Sequence, residues 1–156
     1  MKELRKVSQE ELRGILELHK LWLESEGDEG ECADLSYCDL RNTDLSYCDL
    51  TEANLTNAIL SYCDLTNTNL TNADLSYTEL YETNLFYAKV DNMVSVGNVG
   101  NENRTVYYFY KEDRVICECF DDTLENFKKA VIEKYGNDYG SYAIAVEVFG
   151  KMKDTK

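Results

Sequence analysis

Hydrophobic residues in the middle of the chain follow neither a helical nor a strand-like rhythm. Leu recurs every fifth residue, at Leu35, Leu40, Leu45, Leu50, Leu55, Leu60, Leu65, Leu70, Leu75, Leu80 and Leu85, and Val90 closes the series. Two residues before each stands a small one, such as Ala33, Cys38, Thr43 or Ala53. Asp or Asn lies between them in nine of the twelve units. A period of 3.6 or of 2 cannot hold a five-residue repeat on one face. A coil that turns one corner per unit can, with the Leu and the small residue inside and the other three positions outside.

The flanks read differently. Ser8-Gln9-Glu10-Glu11 has the form of a capping box, and Val7 and Leu12 are spaced as a hydrophobic staple. Leu12, Ile15, Leu16, His19, Trp22 and Leu23 then make one apolar face of a helix that Gly27 and Gly30 end. This helix is expected to cap the open end of the coil, with Trp22 over the layer of Leu35, Leu40, Leu45 and Leu50. A solenoid needs such caps. Beyond residue 91 the period is lost. Segments 104–111 and 114–120 predict two strands joined by a tight turn at Glu112-Asp113. Asp122 or Thr123 should cap a helix that ends at Gly136, and 141–152 predicts a last helix. The segment Val96-Gly97-Asn98-Val99-Gly100-Asn101 reads as a loop.

The alternation of a small residue, Asp or Asn, and Leu over residues 32–91 resembles the pentapeptide-repeat family, whose pattern is A-(D/N)-L-x-x. The resemblance implies a mainly β fold: a right-handed quadrilateral β-helix with three coils of four units, twelve pentapeptides in all. Residues stack at intervals of 20, as Leu35–Leu55–Leu75 and Leu50–Leu70–Val90. Three domains are expected: an amphipathic capping helix in 1–31, the β-helix in 32–91 and a small ββαα module in 92–156. The flanks are similar to a group from Firmicutes and their phages. Those pair a helix ending like His19-Lys20-Leu21-Trp22-Leu23 with a module containing a stretch like Cys117-Glu118-Cys119-Phe120-Asp121-Asp122-Thr123-Leu124-Glu125-Asn126-Phe127.

Charge narrows the functions. The net charge is −14, which disfavours direct binding to nucleic acid phosphates or to an anionic membrane. Residues 32–91 hold ten acids and two bases, whereas 92–156 hold eleven and nine. No apolar leader or membrane-length run is visible. The six Cys do not form a disulfide framework, so a reducing, cytoplasmic setting is expected.

Candidate chemistry is sparse, and neither catalytic residues nor a cofactor or metal site is expected. Cys117 and Cys119 share a strand face with Val115 and read as core, since zinc needs about four ligands. His19, the single His, lies on the apolar helix face. The carboxylates face water on a convex surface, whereas acid–base catalysis needs a perturbed one in a cleft. For surface recognition the sequence is more informative, and the plain alternative is that Tyr and Asn merely decorate and solubilise the coils. Asp34, Asn54 and Asp74 should form one outward stripe. Tyr37 and Tyr77, and Tyr47 and Tyr87, should stand on alternate faces, with Tyr62 between Asn42 and Glu82, and Ile59 takes a normally polar outward position. Tyr is favoured at interfaces. The expected function is non-enzymatic protein binding or scaffolding, with a protein partner of unidentified kind and an oligomeric state the sequence does not fix. Some pentapeptide-repeat proteins mimic DNA and bind type II topoisomerases such as gyrase, which makes that the alternative.

Overall fold

Type II turns, in which the third residue adopts a left-handed backbone, recur every five residues from Leu35 onward. In each, the amide of the residue three after a Leu returns to that Leu's carbonyl, as in Cys38 N to Leu35 O at 3.2 Å and Ala58 N to Leu55 O at 2.9 Å. The second residue after each Leu, from Tyr37 through Tyr87, has φ between 54° and 64°. The Asp or Asn before Leu shapes the same corner. Its side-chain oxygen accepts the amide two residues on, as from Ser36 to Asp34 at 3.0 Å, Thr56 to Asn54 at 3.1 Å and Ser76 to Asp74 at 2.9 Å. That is the Asx turn, and it explains why Asp and Asn dominate this position.

The computed structural model describes residues 4–91, 93–99, 104–117, 120–136, 140 and 142–153. The chain divides into two compact units, Met1–Asp91 and Asn92–Lys156. The leading helix thus belongs with the repeat.

In the first unit, parallel bridges join residues twenty apart. Asp34 pairs with Asn54 and Asn54 with Asp74; Asp39, Asp44 and Asp49 start three similar columns. Each rung has two backbone bonds, such as Leu35 N to Asn54 O at 2.8 Å and Asn54 N to Ala33 O at 2.9 Å. Leu35, Leu40, Leu45, Leu50, Leu55, Leu60, Leu65, Leu70, Leu80 and Leu85 are buried, while Leu75 and Val90 are half-buried. Cys63, Thr68 and Thr83, buried in the small position, reach carbonyls one level above, whereas Thr78 Oγ1 donates to Leu75 O within its own turn at 2.6 Å. Thr68 Oγ1 donates to Leu45 O at 2.8 Å, and Thr83 Oγ1 to Leu60 O at 2.7 Å.

Helix α1 (Gln9–Glu24) starts at Ser8, whose Oγ accepts the Glu11 amide at 3.1 Å. It ends at Ser25, and Gly27 (φ 93°) donates its amide to Trp22 O at 2.8 Å. The chain then doubles back along the helix, and the Glu31 amide reaches Leu18 O at 3.2 Å. Gly30 lies so near that a Cβ there would run into the Leu18 carbonyl and the Trp22 amide. On the inner face His19 is wholly buried, and Trp22 is half-buried and stacked on it, with ring centres 5.8 Å apart. Strand β1 (Arg5–Lys6), unexpected from the sequence, pairs in parallel with β2 (Cys38–Asp39) and extends the ladder on that side.

The second unit is larger in strand than expected. Instead of ββαα, a four-stranded antiparallel meander of β3 (Met93–Val99), β4 (Arg104–Phe109), β5 (Arg114–Cys117) and β6 (Phe120–Asp122) precedes α2 (Leu124–Tyr135) and α3 (Tyr142–Lys153). Residues 96–99 are therefore strand, not loop. Val94 and Val96 pack on the core, and the register slips by one residue between Val96 and Val99. A β-bulge at Gly97-Asn98 breaks the alternation that would have betrayed the strand. The second predicted strand is split, because Phe120 pairs back with Cys117. Gly100, Asn101, Glu118, Cys119 and Ser141 lie outside the described residues.

Thr123 caps α2, accepting the Asn126 amide at 3.3 Å, and Gly136 (φ 77°) ends it. Tyr108, Phe127, Tyr142, Ala145 and Phe149 are among the buried core. The buried Tyr108 hydroxyl donates to Asp113 at 3.0 Å, and Lys153 grips the same carboxylate at 2.6 Å. Burial, then this hydrogen bond, pushes the Tyr108 phenol up to about 12.

Candidate functional site

The corners of the repeat carry the most exposed large side chains of the first unit. Tyr47, Tyr62, Tyr77 and Tyr87 are 77%, 53%, 81% and 71% exposed, while Tyr37 is half-buried. All five have left-handed backbone, a conformation that Asn tolerates and a bulky residue does not. Asn42, Asn57, Asn67 and Asn72 fill equivalent corners. Each Tyr therefore costs roughly 1 kcal/mol of backbone strain, and the four exposed ones recover little of it by packing. Tyr62 meets Tyr81 edge to face at 5.3 Å. Phe86 leans on Tyr87 with centres 4.0 Å apart and is itself 59% exposed. It occupies a position held by Ser or Thr on the levels above, Ser46 and Thr66.

This strain gives a direct test. Tyr77→Asn should stabilise the protein by up to about 1 kcal/mol, because it relieves the corner and loses almost no buried surface. Thermal unfolding measures it, and a lowered melting temperature would contradict the account.

The acid stripes have another role. Asp34 accepts the Ser36 amide and the Asn54 side-chain amide at 3.2 Å, and Asp74 accepts the Ser76 amide. Hydrogen bonds from Ser76 hold the Asp74 carboxyl below its usual range. Both carboxylates are thus engaged in shaping turns. Ile59 is half-buried and bridged to Asp39 above and Glu79 below.

Between α1 and the repeat lies a cleft of about 510 Å³, lined by Leu16, Lys20 and Leu23 on one side and Tyr47, Cys48 and Asp49 on the other. Burial raises the Cys48 thiol, and it pushes the Cys63 thiol up to about 11, so neither is a ready nucleophile. Cys117 is buried with Val115 and Leu124 in the core of the second unit. Among the described residues no group of three His, Cys, Asp or Glu could hold a metal ion. No described helix is long and apolar enough to cross a membrane.

The family model "Pentapeptide repeats (8 copies)" matches residues 48–85. No curated protein matches. Among solved structures the chain is similar to a pentapeptide repeat protein from the cyanobacterium Cyanothece 51142, with 41% identity and a TM-score of 0.37 over 37% of this chain and 40% of that one. It is also similar to one from Nostoc Pcc 7120, with 24% identity and a TM-score of 0.23, over 59% of this chain and 81% of that one. At these scores the superpositions carry no argument, and the chain spans less than half the length of the Cyanothece protein.

Proposed function

We propose that this chain, whose residues 48–85 are pentapeptide repeats, is a non-enzymatic protein-binding or scaffolding module. In this reading the repeat is a right-handed quadrilateral β-helix of three coils, and a protein partner docks on its tyrosine corners. The observation that carries the proposal is the exposure of Tyr47, Tyr62, Tyr77 and Tyr87 at corners where Asn would be less strained. A broad, stiff side chain with a polar tip is the kind that interfaces retain. Strain kept at a surface with no packing return points to use there. The resemblance of the flanks to proteins of Firmicutes and their phages extends the proposal to a phage-related setting. The described cysteines are free thiols, in keeping with a reducing, cytoplasmic compartment.

The test uses the full chain as bait in lysate of its native host. A specific protein should be captured, and Tyr47→Asn with Tyr87→Asn should abolish capture while leaving the melting temperature equal or higher. Undiminished capture by that variant would remove the tyrosine corners from the proposal.

The DNA-mimic reading rests on the acid columns. Three levels at a spacing of roughly 4.8 Å make a block only about 15 Å tall, four or five base pairs of duplex, and the columnar Asp side chains are tied up in turns. Inhibition of gyrase supercoiling by the intact protein would nevertheless favour it over the tyrosine reading.

A further inference from the structure

The second unit holds a cleft that the proposed function does not use. It has a volume of about 180 Å³ and opens between β5, β6, α2 and α3, with Arg104 of β4 at its side. Four aromatic rings shape it. Phe127 and Tyr142 are buried, Phe120 is half-buried and Tyr135 is exposed. Phe120 meets Phe127 edge to face at 5.3 Å, and Tyr135 stacks on Tyr142 at 5.2 Å. An apolar cavity of about 150 Å³ accepts one benzene ring, so this one has room for a single ring and a short chain.

Charge selects among such guests. Among the described residues of the lining the charged ones are Arg104 and Lys134, and no acid is among them. Lys134 Nζ stands 5.2 Å from the centre of the Tyr135 ring. The cleft beside α1 is unlike this, for Glu17, Glu24 and Asp49 outnumber its two cations. In a chain of net charge −14, an aromatic pocket edged by two cations, Arg104 and Lys134, favours an anionic guest, because a carboxylate can take charge-assisted hydrogen bonds there. The geometry points to a binding site for a small aromatic monocarboxylate, its ring against Phe127 and Tyr142 and its carboxylate toward Lys134 and Arg104.

Hydrocinnamate and its neutral amide make the test, titrated into the full nitrogen-labelled chain and followed by backbone amide shifts. Hydrocinnamate should move the amides of Cys117, Ala130, Lys134 and Tyr135, and the neutral amide should bind about fivefold more weakly. Lys134→Met should weaken the acid by a similar factor and leave the amide unchanged. Ala130→Leu, which fills the cleft, should abolish both. Lys134→Met alters a surface side chain, so it decides the matter even if Ala130→Leu fails to fold. No shifts at roughly 5 mM hydrocinnamate, a concentration that detects binding worth about 3 kcal/mol, would overturn the site. Equal affinity for acid and amide would overturn the carboxylate assignment.

Discussion

Leu55→Ala should destabilise the first unit by about 3–5 kcal/mol, the upper range for a leucine truncated in a core that cannot close around the gap. Leu55 is fully buried and belongs to the middle level. Its own amide bonds Asp74 O at 2.9 Å, and the neighbouring Asn54 bonds the level above through Ala33 O at 2.9 Å and Leu35 N at 2.8 Å. Those bonds fix the spacing between levels, so the backbone cannot settle into the missing volume. The same change at Leu75, which is half-buried on the last level, should cost about half as much, in keeping with the smaller area it hides. Urea unfolding followed by Trp22 fluorescence reports this unit, since Trp22 is the single Trp in the chain. Equal losses at the two positions would contradict a ladder whose middle is its most constrained part.

His19 sets the second large effect, and it depends on pH. Its Nδ1 accepts the Ala33 amide at 3.1 Å, which requires an unprotonated nitrogen there. Its Nε2 has no hydrogen-bond partner among the described residues. Burial lowers the His19 pKa, and nearby Asp49 opposes this only in part. Above a pH of about 6.5, the ordinary value in the unfolded chain, the ring is neutral in both states and the stability is fully present. As pH falls below that value the unfolded state binds the proton first, so stability drops until the lowered folded value is reached. Unfolding midpoints should therefore decline as the pH falls below about 6.5. Hydrogen bonding holds Asp39, Asp44 and Asp74 below the usual carboxylate range, which moves their own losses to more acid solution. His19→Leu should flatten the decline and should also cost about 1–3 kcal/mol at neutral pH, because the buried Ala33 amide loses its acceptor. A decline that persists in the variant would assign it to other groups.

The repeat was open to reading from sequence because its information is one-dimensional. Five-residue spacing of Leu survives any choice of backbone, and a small residue two positions earlier repeats with it. The corners were not so open. Tyr at 37, 47, 62, 77 and 87 reads as decoration until φ is known, and Asp34 and Asp74 read as free charge until their turn hydrogen bonds are seen. Strand β1 escaped notice because two charged residues, Arg5 and Lys6, carry no apolar period; their backbone alone does the pairing. Strand β3 was hidden by its bulge at Gly97-Asn98. The aromatic cleft could not be assembled in advance, since Arg104, Phe120, Phe127 and Tyr142 come from four elements brought together by the meander.

Pairing between residues twenty apart also governs which changes of length the gene can tolerate. Duplicating a whole block such as 52–71 would insert a complete storey, with every later side chain still above its old neighbour. Losing a single block of five, such as 62–66, would leave the Leu rhythm intact yet turn everything downstream by one corner, so that Tyr77 would stack beneath Glu52 instead of Asn57 and the Asp and Asn columns would be reshuffled. Growth and shrinkage of this ladder are accordingly expected in whole storeys, and shorter insertions should accumulate only where the ladder has ended, beyond Asp91.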